Sequence, residues 1–331
     1  MMNSTYYNAS TEFDILYSCL AVSGFFLSSV GLAGNITLIY ILITDKYFHK
    51  TNYVLMLIGV ISDTVSNSVS FASCVFVAGN SHNYYSVLVT CKIFIYVIFA
   101  SYGVSILNLT LIGIDRYMAV VKPFLPCYRL HKKQILIASE ILILMLSTLI
   151  PIPALFFAGT NIEDTRLCDF PDITISVSLC LIFYAVLLHI MPSILLSVMY
   201  WQIITHQRNY VRPGQSSQRL DDIRKRKLIK ALSSISLSYI LSSWPSCLLL
   251  LTLAITQQSM LQIRKRSVFA FVISLLAFSV IMSMAIFNPF LCLKFDSNIR
   301  AKVKRIFSRK KFLVHDISAP SLTIFVRSSQ Y

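Results

Sequence analysis

An uncharged run of 22 residues, Ile93 to Ile114, ends in Asp115-Arg116-Tyr117, with Cys91 just before it and Pro123 just after. A guanidinium does not lose its proton, so Arg116 must sit at a water boundary or be paired, and the adjacent Asp115 carboxylate is a ready partner. Two more acids, Asp63 and Glu140, stand inside apolar stretches, and His189 lies deep in another. An acid in hydrocarbon is costly, so each should face a bundle interior or a polar partner. His189 either accepts a ligand hydrogen bond and titrates near neutral pH, or is an interhelical histidine satisfied by a neighbour. The sequence carries no catalytic triad, metal-ligand cluster or phosphate loop, so the chemistry expected is charge pairing and recognition, not that of an enzyme.

The elements that must hold these groups are membrane helices. The chain is 56% hydrophobic and 13% charged, with a mean hydropathy of +0.70, far from a soluble domain of 331 residues. Charge-free runs long enough to span a bilayer cover Ile15 to Thr44, Thr64 to Cys91, Ile93 to Ile114, Ile141 to Ile162, Ile173 to Gln207, Ala231 to Ile263 and Ser267 to Leu293. The second begins near Thr51 and the fourth near Gln134, so Asp63 and Glu140 fall inside them. The reading is an all-α membrane protein, a seven-transmembrane helix bundle over 15–293, with no internal repeat or separate soluble domain.

Nothing before the first span resembles a cleaved signal peptide, so that span is expected to act as a signal anchor with residues 1–14 as an extracellular tail. The sequons at Asn3 and Asn8 fit an external, glycosylated tail. With the N-terminus outside, 24 of the 29 Lys and Arg fall in internal segments and 5 outside, as the positive-inside rule requires. The net charge of +15 then reports loops facing anionic lipid, and nucleic acid is not an expected partner. Of the eight cysteines, Cys91 starts the third span and Cys168 lies in the loop between the fourth and fifth, both external. The expected disulfide between them would pin that loop over the bundle; two free thiols are the alternative. Arg264-Lys265-Arg266 breaks the charge trend at the external entrance of the seventh span. It either attracts an anionic ligand, anchors to headgroups, or pairs with Glu163, Asp164, Asp169 and Asp172 as a lid.

Further landmarks are Gly34-Asn35 in span one, Leu57 and Asp63 in span two, Cys91 placed 25 residues before Arg116, and Pro192 eight before Tyr200. Trp244-Pro245 in span six and Asn288-Pro289 in span seven complete the set. Each string recurs in unrelated proteins; in this order and spacing, over nearly the whole chain, they resemble a rhodopsin-like (class A) G-protein-coupled receptor. Leu111-Ile112-Gly113-Ile114-Asp115-Arg116, and Cys168 followed by Pro171, look similar to nematode serpentine chemoreceptors of the SX class and also to peptide receptors.

The resemblance implies a plasma-membrane receptor for an external small chemical or peptide that activates a heterotrimeric G protein, with arrestin and a receptor kinase as further partners. Its switch residues would be Asp115, Arg116 and Tyr117, with Tyr200 receiving Arg116 when span six swings outward. Phe124 would dock on the G protein, and Pro192, Trp244-Pro245 and Asn288-Pro289 would let helices repack. Lys225 stands where some relatives carry an acid that locks the arginine, so raised ligand-free signalling is expected. Asp63 with Ser105, Asn288 and Asn35 resembles the family's interior sodium site, where hard oxygens suit a small cation. That match is partial, because Ala285 and Met284 replace side chains that are often polar, and Asp63 is alternatively a hydrogen-bonded hub.

Three departures mark an unusual member: Cys292 replaces the tyrosine after Pro289, the span-four tryptophan is missing, and Trp244 sits one residue before Pro245 instead of two. The last turns Trp244 about 100° from the usual place. Ile98 stands where aminergic relatives carry a carboxylate, and Met282 where opsins carry lysine, so neither a biogenic amine nor retinal is expected. Ile98, His189, Trp244 and Arg264 are the pocket candidates. Residues 294–307 read as an amphipathic helix on the cytoplasmic leaflet, touching lipid, and 308–331 as a cytoplasmic tail with Ser and Thr for phosphorylation. The competing classes are an uncoupled seven-helix scaffold or scavenging receptor, and a channel or transporter, which would need more charges near mid-membrane.

Overall fold

The computed structural model describes residues 2–78, 83–123, 126–209 and 218–306. Side chains are described from Ile15 on, except at 52, 77–78, 126–127, 129, 207–209, 218–232, 235, 281–284 and 295. Ten α-helices and a hairpin of two two-residue strands follow in order among the described residues: α1 Met2–Thr44, α2 Thr51–Ala78, α3 Tyr84–Val120, α4 Pro126–Leu149, α5 Ile152–Phe157, β1 Gly159–Thr160, β2 Cys168–Asp169, α6 Ile175–Ala185, α7 Met191–Asn209, α8 Gln218–Thr256, α9 Met260–Arg266 and α10 Val268–Phe295. A last helix, α11, covers 297–306.

Six stretches are long and apolar enough to cross a membrane, the fifth made of α6 and α7 together, and the bent α10 is the seventh. Apolar side chains point both inward and outward, as a lipid solvent allows: Ile137, Ile141, Leu144 and Met145 lie on the outside of α4, while α3 is buried from Ile98 to Ile106 and forms the axis of the bundle. Helix starts are set by capping oxygens that accept otherwise orphaned amides: Asn83 for α3, Thr174 for α6, Ser267 for α10, and a Ser259/Gln262 capping box for α9.

Two prolines alter their helices, by different means. Before Pro192 the helix widens into a π turn, Val186–Ile190, which absorbs the missing amide and turns His189 into the core. Pro289 cannot donate to the Ala285 carbonyl one turn earlier. That oxygen instead accepts the side-chain amides of Asn35 at 2.9 Å and Asn67 at 3.1 Å, tying α1 and α2 to α10. Immediately before Ala285, α10 bends by 51°. Gly31 and Gly34 of α1 admit this close approach, since a Cβ on either would lie 3.0 Å from Ile286 or Pro289.

Two expected boundaries move. The segment 1–14 continues α1 as helix from Met2 instead of forming a separate tail. The amphipathic helix begins at 297, not 294: α10 runs on to Phe295, and Asp296 breaks the chain and caps α11 by accepting the amides of Asn298 and Ile299. Ile299, Val303 and Ile306 of α11 pack on the bundle, and Lys302 pairs with Asp45 at 2.7 Å.

Candidate functional site

At the Arg116 end of α3, the Asp115 carboxylate is fully buried and is held by the start of α4. The Tyr128 hydroxyl donates to it at 2.7 Å, and the Lys132 ammonium lies 2.5 Å away. Burial, then the hydrogen bond to Asp115, push the Tyr128 phenol above its ordinary range, so it remains a donor. Arg116 is left 3.9 Å from the same carboxylate, and its Nε and one Nη make no hydrogen bond among the described residues. Tyr200 of α7 lies within the field of Arg116 and beside Ser236 of α8, its hydroxyl likewise without a hydrogen bond. Gly113, one turn before Arg116, lets α3 approach Leu196, Met199 and Tyr200. Tyr117 carries Lys122 over its ring at 5.9 Å. Phe124 and the Lys225 side chain lie outside the described residues. Tyr128 and Lys132 were not among the residues singled out from sequence; they stand on either side of His131, where the backbone leaves helical φ/ψ, so no regular helical spacing points to them.

In mid-bundle, Asp63 accepts from the Ser105 hydroxyl at 2.8 Å and the Asn288 amide at 2.5 Å, joining α2, α3 and α10. Asn35 is elsewhere, on the Ala285 carbonyl. The cavity beside Asp63, of about 10 Å³, has room for about one water. Ala285 contributes a methyl group to the cavity wall, and its carbonyl accepts from two amides. Glu140 is buried on α4, and its carboxylate has no hydrogen-bond partner among the described residues.

At the opposite end, the Cys91–Cys168 disulfide pins the β1–β2 hairpin to α3, with the two Cα atoms 5.4 Å apart. Under the hairpin lies a cavity of about 470 Å³ between α1, α2, α3 and α10, walled by Tyr17, Leu27, Ser70, Cys74, Phe94 and Phe278 among others. The pocket candidates read from sequence do not form it. Ile98 faces the small mid-bundle cavity. His189 stacks on Tyr102 with ring centres 4.5 Å apart, and its Nδ1 is 3.2 Å from the Tyr102 hydroxyl. Trp244 is 41% exposed on the outer face of α8, the direction its one-residue shift gives it. Arg264 is at the mouth, bonded to Asp164 and to the Tyr17 hydroxyl, and Lys265 pairs with Glu163 at 2.7 Å. Two of the three basic residues, Arg264 and Lys265, therefore pair with Asp164 and Glu163 of the acidic loop as a lid. The hydroxyl-bearing wall was not legible in advance, because serines in apolar helices are commonplace and no pattern separates a cavity face from a packed one.

Asp169 completes the lid by accepting the Met260 amide at 2.5 Å. Burial raises its carboxyl from an ordinary 3.8 to about 7, against the lowering effect of the Phe170, Met260 and Leu261 amides. A carboxyl that binds its proton more tightly when folded contributes stability that is complete below its unfolded value and is lost as pH rises toward 7. The thermal midpoint of the purified chain is therefore expected to fall by several degrees between pH 4.5 and 7.5, and Asp169→Asn to flatten that slope. Equal slopes in the two proteins would contradict this.

Comparison with known proteins agrees with this architecture. The model of the 7 transmembrane receptor (rhodopsin family) matches residues 34–291. The neuromedin-K receptor of Oryctolagus cuniculus is 23% identical over 286 residues, 84% of this chain and 59% of that protein, and the neuromedin-K receptor of Homo sapiens gives the same figures. The muscarinic acetylcholine receptor M2 of Gallus gallus is 23% identical over 244 residues, 65% of this chain and 48% of that receptor. The chain thus matches about half to three fifths of the length of these relatives. Since the family match runs from Gly34 in the first span to Leu291 in the seventh, the chain belongs to the rhodopsin family of seven-transmembrane receptors.

Proposed function

We propose that this chain is a plasma-membrane receptor, disulfide end outside and Arg116 end in the cytoplasm, that binds an external ligand and activates a heterotrimeric G protein by outward movement of α8. The observation that carries the reading is the state of Arg116. Its neighbouring carboxylate is already engaged by Tyr128 and Lys132, so among the described residues the guanidinium keeps only a 3.9 Å pairing with Asp115 and is available to α7 and α8. Moving α8 away from Tyr200 would open a cleft floored by a fixed cation and a phenol, a surface that a protein segment with free carbonyls or a carboxylate can occupy. Pro245 inside α8, and the Ser246 hydroxyl bonded to the Ala277 carbonyl of α10 at 2.7 Å, supply a pivot.

The names of the relatives offer a peptide and acetylcholine as ligand types. None of the described residues lining the large cavity is a carboxylate, which disfavours a cationic amine. Arrestin, a receptor kinase acting on the C-terminal Ser and Thr, bilayer lipid along α11, and glycans at Asn3 and Asn8 belong to the same reading.

The test is ligand-free activation in cells carrying a sensor for each G-protein class, comparing the parent with Arg116→Ala at equal surface abundance. A signal in one class, lost in the variant, supports the reading; parent and variant both equal to empty cells contradict it. Lys225→Glu supplies the acid that Arg116 lacks and is expected to lower ligand-free signalling roughly fivefold, the effect of about 1 kcal/mol favouring the closed state. An unchanged signal would show that Lys225 does not face Arg116.

A further inference from the structure

We propose that the 470 Å³ cavity takes an uncharged, lipophilic molecule that enters from the bilayer leaflet at the disulfide end, through a gap between α1 and α10. This deepens the receptor reading by naming the class of its ligand, and rests on it for the ligand's role.

On the water side the described residues form a lid. Tyr17 is both a wall of the cavity and a member of the lid, its hydroxyl donating to Asp164 at 3.0 Å and accepting from Arg264 at 3.2 Å. Thr165 to Cys168 form the roof, and the disulfide ties that roof to Cys91 on the cavity wall.

The side is different. Ser23, Leu27 and Ser279 line the cavity and are nonetheless exposed, Leu27 by 48%. Ser23 and Leu27 lie eight and twelve residues into the span that begins at Ile15, and Ser279 lies eleven residues after Val268. At 1.5 Å per residue these are depths of about 12, 18 and 17 Å, within a hydrocarbon layer of about 30 Å. The opening therefore faces acyl chains. Deeper still, α1 and α10 close on one another where Gly31 meets Ile286, Gly34 meets Pro289 and Asn35 reaches Ala285, and the 51° bend of α10 lies just above that closure.

The wall chemistry agrees with the route. The Ser23 hydroxyl donates to the Cys19 and Leu20 carbonyls, and the Ser279 hydroxyl to that of Leu275, so these groups are satisfied by their own helices. Among the described lining residues Arg166, at the roof, carries the fixed charge, and none of them is an acid. The volume lies within the range of about 300–1,000 Å³ typical of small-molecule sites.

Cys74, a free thiol on the wall against Gly24, reports access. The full chain in phosphatidylcholine nanodiscs would be treated with decyl methanethiosulfonate, which partitions into lipid, or with its charged sulfonatoethyl counterpart, and adducts read residue by residue by mass spectrometry. The decyl reagent is expected to modify Cys74 at least tenfold faster than the charged one. Leu27→Trp or Ser23→Phe, which fill the gap, should each slow it at least fivefold while leaving the exposed Cys19 labelled at the parental rate. Equal rates for the two reagents, no modification of Cys74 by either, or no slowing by either variant would overturn the proposal. Labelling needs no G protein, so a chain silent in every sensor that still shows this pattern keeps the site and loses the receptor reading.

Discussion

Cys168→Ser is expected to lower stability by about 4–5 kcal/mol, from the loop-closure entropy of a bond joining residues 77 apart in sequence. The bond holds more than a loop. It fixes β2 over the large cavity, and with β2 come Leu167 in the core and Asp169, which caps the start of α9. Surface abundance and the thermal midpoint of the purified chain should both fall sharply. Cys91→Ser should match that fall, and the double variant should be no worse than either single one, because each single change already removes the whole interaction. Two single losses that add in the double variant would mean that the thiols contribute separately and that the bond does not form in the folded chain.

Asp63→Ala is the second large effect. The carboxylate is the acceptor for the buried Ser105 hydroxyl and the half-buried Asn288 amide. Removing it leaves one buried donor without a partner, at about 1–3 kcal/mol, and a half-buried one at the lower end of that range. Asp63→Asn retains one acceptor oxygen and the side-chain volume, so the thermal midpoints should fall in the order parent, Asn, Ala. The same tie fastens the lower half of α10 to α2 and α3, so the Ala variant should also lose receptor signalling to a larger degree than its abundance explains. Equal midpoints for the Asn and Ala variants would show that the hydrogen bonds do not hold these helices together.

What was legible in the sequence follows from which physical signals a linear pattern carries. Seven runs free of charge mark seven spans because lipid excludes charge whatever the tertiary packing, and the family match and the helices agree with that count. Cys91 and Cys168 were legible because the orientation expected from the basic residues puts these two, at a span end and in a loop, on the oxidising side. The side from which a span is seen is another matter. Lipid and bundle interior are both apolar, so hydropathy does not say that Trp244 points outward or that His189 stacks on Tyr102. The π turn at Val186–Ile190 rotates everything before it relative to α7, and no residue spacing announces it. The grip of Tyr128 and Lys132 on Asp115 crosses from one helix to the next through a loop, beyond the reach of periodicity. The cavity is a property of how α1, α2, α3 and α10 diverge, set by a bend in α10 that its sequence shows only as the absence of an amide at Pro289.

The central claim is that α8 moves away from Arg116 to admit a G protein. It is tested most directly by the distance between genetically encoded spin labels at Val121, where α3 ends, and Ser233 on α8, measured by pulsed dipolar spectroscopy in nanodiscs. Adding the nucleotide-free heterotrimer of the class identified in cells should shift the distribution to longer distances, guanine nucleotide should reverse the shift, and Arg116→Ala should abolish it. One unchanged distribution, with the heterotrimer shown to be bound to the nanodiscs, would contradict the account.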